Sequence, residues 1–98
     1  MRPERVALSP LKFMKYKSIK IYKTTFCGDC LVADRFFEEN NIRIEETINI
    51  DDDANAAALV LKINGGFRSV PTIVMEDENN NISVLVEPSW DELEHTFK

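Results

Sequence analysis

Apolar and polar positions alternate cleanly in two stretches of the chain and recur at helical spacing in three others. Ser18–Lys23 (SIKIYK) has a period of two and is rich in β-formers, which predicts a first strand. From Gly28 to Asn40, Val32, Ala33, Phe36 and Phe37 recur at helical spacing opposite Asp34, Arg35, Glu38 and Glu39, and Asn40-Asn41 supplies a stop. Ile42, Ile44, Ile48 and Ile50 predict a second strand over Arg43–Ile50, with Glu46 breaking the apolar face. Asp51-Asp52-Asp53 offers capping oxygens to an alanine-rich helix, Ala54–Asn64, with Ala57, Val60 and Leu61 inward and Gly65-Gly66 ending it. Thr72–Met75 and Ile82–Val86 are joined by a short polar turn and predict a hairpin. Ser89 and Glu92 have capping-box spacing ahead of a last helix, Trp90–Phe97.

The order β-α-β-α-β-β-α constrains the architecture. A helical crossover makes the first two strands parallel, and the short connection makes the last two antiparallel. An α/β domain with a four-stranded mixed sheet and helices on both faces follows. No apolar run approaches the ~20 residues of a membrane span, so a soluble globular protein is expected.

Charge sharpens the boundaries. Six basic residues against Glu4 give the first twenty positions a charge of +5, whereas the whole chain carries −5, so the body is strongly acidic. Residues 1–17 are therefore expected to be a flexible basic extension ahead of a domain over 18–98. Pro3 and Pro10 interrupt that extension and no apolar region or small-residue cleavage site follows, which argues against a targeting peptide. The acidic body also argues against a nucleic-acid partner.

The chain has two cysteines, Cys27 and Cys30, placed where the first strand hands over to the first helix. In a cytoplasmic protein such a pair is more often catalytic or metal-binding than structural. Its loop is too small to restrain the unfolded chain much. Unpaired N–H groups in a first helical turn favour a thiolate. Cys27 is then the nucleophile, and Cys30, one turn further in, the resolving thiol. Gly28 leaves space beside the attacking sulfur, while the Asp29 carboxylate is expected to oppose the thiolate and so tune Cys27 upward. Tetrahedral zinc would need two further ligands, and only the distant His95 is on offer. No metal site is expected within the chain. The Asp51–Asp53 run reads as a helix cap because calcium-loop spacing is missing. Pro71 cannot donate to a ladder, so it opens its strand and holds Val70 extended.

The C-G-D-C unit at a helix start, with Arg68-Ser69-Val70-Pro71-Thr72 some forty residues later, resembles the glutaredoxins of the thioredoxin-like fold. It is most similar to their mycoredoxin branch, through Ile21-Tyr22, Thr24-Thr25, C-G-x-C-L, Asn64-Gly65-Gly66 and Pro88-Ser89, over about residues 19–97. The resemblance implies a cis Val70–Pro71 bond facing the cysteines and a Val70 backbone that pairs with an extended thiol substrate. It implies that the aromatic Phe26, Arg68, Ser69 and, at the last helix, Ser89 and Trp90 line the thiol-binding site, with Arg68 holding a substrate carboxylate. Many glutathione-using members carry lysine three positions before the nucleophile. Here that position is Thr24, with Lys23 one earlier, and Gly28-Asp29 replaces the usual proline-tyrosine. The co-substrate is thus left open among glutathione, mycothiol and another small thiol, with no tightly bound cofactor.

The function expected is that of a cytoplasmic, monomeric dithiol oxidoreductase. It would reduce protein disulfides or mixed disulfides in client proteins and be recharged by a small thiol or a thioredoxin-reductase-type donor. Two alternatives are a dimeric iron-sulfur cluster carrier and a hydrogen donor for ribonucleotide reductase. The second lacks its characteristic tryptophan-containing segment after Pro71.

Overall fold

A computed structural model describes residues 15–98 of the chain. Its elements are β1 (Tyr16–Lys23), α1 (Gly28–Glu39), β2 (Glu46–Asn49), α2 (Ala54–Ile63), β3 (Thr72–Asp77), β4 (Ile82–Val86) and α3 (Trp90–Phe97). The sheet order is β2-β1-β3-β4. β1 and β2 are parallel, while β1–β3 and β3–β4 are antiparallel. This is the α/β thioredoxin-like arrangement expected from the order of elements.

Alternation along the strands creates two cores. Ile19 and Ile21 of β1 and Ile73 and Met75 of β3 face Ala33, Phe36 and Phe37 of α1 and Leu93 and Phe97 of α3. Aromatic edges lock this layer: Phe36 meets Trp90 at 5.1 Å and Phe37 meets Phe97 at 5.0 Å between ring centroids. On the opposite face, Tyr22 and Ile50 pack against Ala56 and Val60 of α2. Each fully buried side chain of this kind contributes roughly 1.5–3 kcal/mol before ordering costs. α1 and α3 therefore share one face, and among the described residues α2 is the helix that covers part of the other.

Several boundaries differ from expectation. β1 begins at Tyr16, because Tyr16 packs edge-on against Phe97 at 5.5 Å and Lys17 lies 3.8 Å from Glu76. Tyr16 and Lys17 thus belong to the sheet and not to the basic extension, whose residues 1–14 lie outside the described residues. β2 is shorter than Arg43–Ile50, since its pairing runs only from Lys20–Glu46 to Lys23–Asn49. Ile42 and Ile44 pack on the core without joining that ladder as strand residues. Glu46 finds its account here: it lies opposite Lys20, 3.9 Å from the ammonium, and is exposed. The inward stripes also shift. Val32 and Leu61 are each 38 % exposed, and Cys30 and Ala56 take the buried positions. β3 continues to Asp77, whose carboxylate accepts from the Asn79 and Asn81 N–H groups of the hairpin turn.

Candidate functional site

Strand register decides which loops meet. Lys23 at the end of β1 pairs with Asn49 at the end of β2, and Tyr22 pairs with Thr72 at the start of β3. Thr72 in turn pairs with Val86 at the end of β4. The segments Thr24–Cys27, Ile50–Asp53, Arg68–Pro71 and Glu87–Ser89 therefore converge at one end of the sheet.

The first of these carries the cysteines. Thr24 is buried and its hydroxyl donates to the Phe26 carbonyl at 3.2 Å, which tightens the turn out of β1. Phe26 is left 94 % exposed. Cys27 has extended backbone (φ −154°, ψ 103°) and is the N-cap of α1. Its Sγ accepts from the Cys30 N–H at 3.1 Å, the place usually filled by a serine or aspartate oxygen. Cys27 and Cys30 are joined as a disulfide, with Cα atoms 5.2 Å apart. The two sulfurs differ in access: Cys27 is partly exposed, whereas Cys30 is 1 % exposed. A Cβ at Gly28 would meet no atom within 4 Å, so the approach beside Cys27 is open. Asp29 lies in the same turn and is exposed.

Arg68–Pro71 forms the opposite wall, and its shape follows from glycine and threonine chemistry. After α2, Gly65 and Gly66 adopt φ of +66° and +101°, which side-chain-bearing residues rarely do. The Gly66 N–H donates back to the Leu61 carbonyl at 2.7 Å. Thr72 is buried, donates to the Ser69 carbonyl at 2.8 Å and accepts from the Asn64 amide at 2.9 Å. The Val70–Pro71 bond is cis. Pro71 is buried, and its carbonyl accepts from the Glu87 N–H at 2.9 Å, which ties the Glu87–Ser89 segment to this wall. Val70 lies just before β3 and outside its ladder.

Asp51 joins the two walls, a connection that sequence reasoning missed. One carboxylate oxygen accepts from the Thr25 N–H at 3.0 Å and the other from Arg68 at 2.7 Å. Asn49 braces the pair by donating to the Thr25 hydroxyl at 3.0 Å. The Thr25 N–H first, and the Arg68 guanidinium second, hold the Asp51 carboxyl below the usual carboxylate range. Of the aspartate run only Asp53 caps α2, accepting from the Ala56 N–H at 3.0 Å. A usable signal existed: Asp51 follows a strand parallel to β1, and the carboxyl ends of parallel neighbours gather functional groups.

Ser89 and Trp90 open α3. The Ser89 hydroxyl accepts from the Glu92 N–H at 3.1 Å and its own N–H donates to the Glu92 carboxylate at 2.8 Å, completing the capping box. Trp90 packs on Phe36, lines a groove with Leu31 and Arg35, and donates to Glu94 at 3.1 Å. Lys23 is bound to Asp34 of α1 at 2.9 Å.

A sequence model of the glutaredoxin family matches residues 19–79, the stretch that holds both cysteines, Asp51, Arg68 and the cis-proline. The chain belongs to the glutaredoxin family. It is 37% identical over 76 residues to two proteins from two strains of Mycobacterium tuberculosis, each bearing the name "Putative glutaredoxin". The match covers 78% of this chain and 84% of either relative. Glutaredoxins are thiol-disulfide oxidoreductases, and this glutaredoxin has the two sulfurs of that chemistry in bonding distance at a helix start. Among the described residues no helix is long and apolar enough to cross a membrane.

Proposed function

We propose that this glutaredoxin is a dithiol oxidoreductase of the cytoplasm that reduces protein disulfides, or mixed disulfides of proteins with a small thiol. The observation that carries the reading is the asymmetry of the pair. Cys27 is reachable and capped by a backbone N–H, while Cys30 is buried behind it. In the reduced form the Cys27 thiolate attacks one sulfur of a substrate disulfide, and the other substrate sulfur leaves as thiolate. Cys30, losing its proton, attacks the Cys27 sulfur of the mixed disulfide. The second substrate sulfur leaves, and the Cys27–Cys30 bond holds the oxidising equivalents. Two electrons have passed to the substrate. Two equivalents of a low-molecular-weight thiol, or a reductase, return the protein to the dithiol.

In this reading Phe26, Ser69 and the Val70 backbone beside Pro71 guide the substrate, and Ser89 and Trp90 bound the cleft where α3 begins. An extended thiol peptide pairs with Val70 because that residue precedes the β3 ladder. The test uses Cys30→Ser: a disulfide client or labelled mixed disulfide remains covalently attached to Cys27 and is released by added thiol. Absence of any adduct, in a variant that keeps Cys27 alkylatable, would refute the assignment of roles.

A further inference from the structure

Arginine is the side chain best suited to a carboxylate, because its planar fork matches the two oxygens. Arg68 stands three residues before the cis-proline, on the wall facing the cysteines, where it could meet an anionic partner. One terminal nitrogen of its fork already donates to an Asp51 oxygen at 2.7 Å. Asp51 is not a loosely held counter-ion: its second oxygen takes the Thr25 N–H, and its own N–H donates to the Asn49 side chain at 2.9 Å. A substrate carboxylate that displaced it from Arg68 would still have the Asp51 charge a few ångströms away. Lys23, the cation nearest the cysteines in sequence, is spent in the same manner on Asp34.

We propose that Asp51 is a specificity-determining residue. By pairing with Arg68 while held by the Thr25 N–H, it fixes a negative charge at the carboxylate position, so that the small thiol this site favours carries no carboxylate there. The proposal rests on the oxidoreductase reading and narrows its co-substrate class. Magnitudes come from two terms. Like charges 4 Å apart in water disfavour each other by roughly fivefold, and an exposed ion pair with a freed Arg68 adds about 1.4- to fivefold. Together these terms mean that removing the Asp51 charge should shift preference toward an acidic thiol by about seven- to 25-fold.

The experiment compares one peptide in mixed disulfide with glutathione and with glutathione diethyl ester, in which both carboxylates are masked. The full chain is assayed as wild type, Asp51→Asn and Asp51→Asn with Arg68→Gln. Asparagine can still accept from Thr25, and a ratio taken within one sample cancels any change in folded fraction. The wild type is expected to use the ester at least as well as the free acid. In Asp51→Asn the ratio of kcat/KM should move about seven- to 25-fold toward the free acid, through KM, and the double variant should lose the ion-pair part of that gain while keeping the roughly fivefold part that comes from the removed charge. An unmoved ratio in Asp51→Asn, or a wild type that already prefers the free acid as strongly as the variant, overturns the proposal and leaves the oxidoreductase reading standing. A wild type inert toward both disulfides sinks both.

Discussion

The reactivity of Cys27 can be worked out from its cap. In the Cys30→Ser variant the backbone N–H of residue 30 remains, and in the disulfide form that N–H lies 3.1 Å from the Cys27 sulfur. A hydrogen bond to a charged acceptor contributes about 1.5–3 kcal/mol, and the helix end about 0.3–1 kcal/mol. Discounting for the partial exposure of Cys27 leaves about 2 kcal/mol in favour of the thiolate, a factor of about 30. A free cysteine is a few per cent thiolate at pH 7, so Cys27 should be about half ionised there. Nucleophilicity falls as acidity rises, with a Brønsted coefficient of about 0.4–0.5, which returns a factor of about five. The net gain in alkylation at pH 7 is only about threefold, so speed at one pH is a weak test. The shape of the profile is a strong one. Iodoacetamide should label Cys27 at a rate that levels off near neutrality, whereas a free thiol climbs through about pH 8.5. Asp29→Asn should move the plateau lower still. The sign for stability follows: an acid strengthened by folding stabilises the reduced protein fully above the free-thiol range and loses that contribution as pH falls through its folded value. Reduced protein should therefore lose up to about 2 kcal/mol between pH 9 and pH 5 relative to the oxidised form. A Cys27 profile superimposable on free cysteine would refute the cap argument.

Other outcomes can be checked more briefly. Phe36→Ala, which empties the meeting point of Phe37, Trp90 and Phe97, should cost about 3–5 kcal/mol in urea unfolding, and a cost under about 1 kcal/mol would contradict the packing. Asp53→Ala should cost about 1 kcal/mol through loss of the α2 cap, whereas Asp52→Ala should stay within about 0.5 kcal/mol; equal effects would mean that the cap is misassigned. Asp51 and Asp77 are both held below the usual carboxylate range, Asp77 chiefly by the Asn81 N–H. Each supports the fold above the range of a free carboxylate, and that support is lost as pH falls through the depressed folded value. Carboxyl carbon shifts followed by NMR should show both midpoints below that of a free aspartate, and a midpoint at or above it would contradict the hydrogen bonds to Thr25 and Asn81.

The element order was readable because each segment declared its own period, and connection length then fixed strand direction. Strand ends were less readable. Tyr16 joins β1 through a contact with Phe97, which is distant in sequence, and Ile42 and Ile44 alternate like a strand although parallel pairing starts only at Glu46. Helix stripes failed at their edges, since Val32 and Leu61 are apolar yet each 38 % exposed. At the site, the cysteines were legible from the helix start that follows them. Asp51 was not, because three consecutive aspartates look alike until tertiary contacts assign one to a cap and another to Arg68.

Unequal access to the two sulfurs also bears on damage. A peroxide reaching the reduced protein meets Cys27 and not the 1 % exposed Cys30, and converts it to a sulfenic acid. The neighbouring thiol would condense with that group, expelling water and forming the Cys27–Cys30 bridge. Oxidation would thereby be diverted into a reducible disulfide before the irreversible sulfinic and sulfonic acids can form.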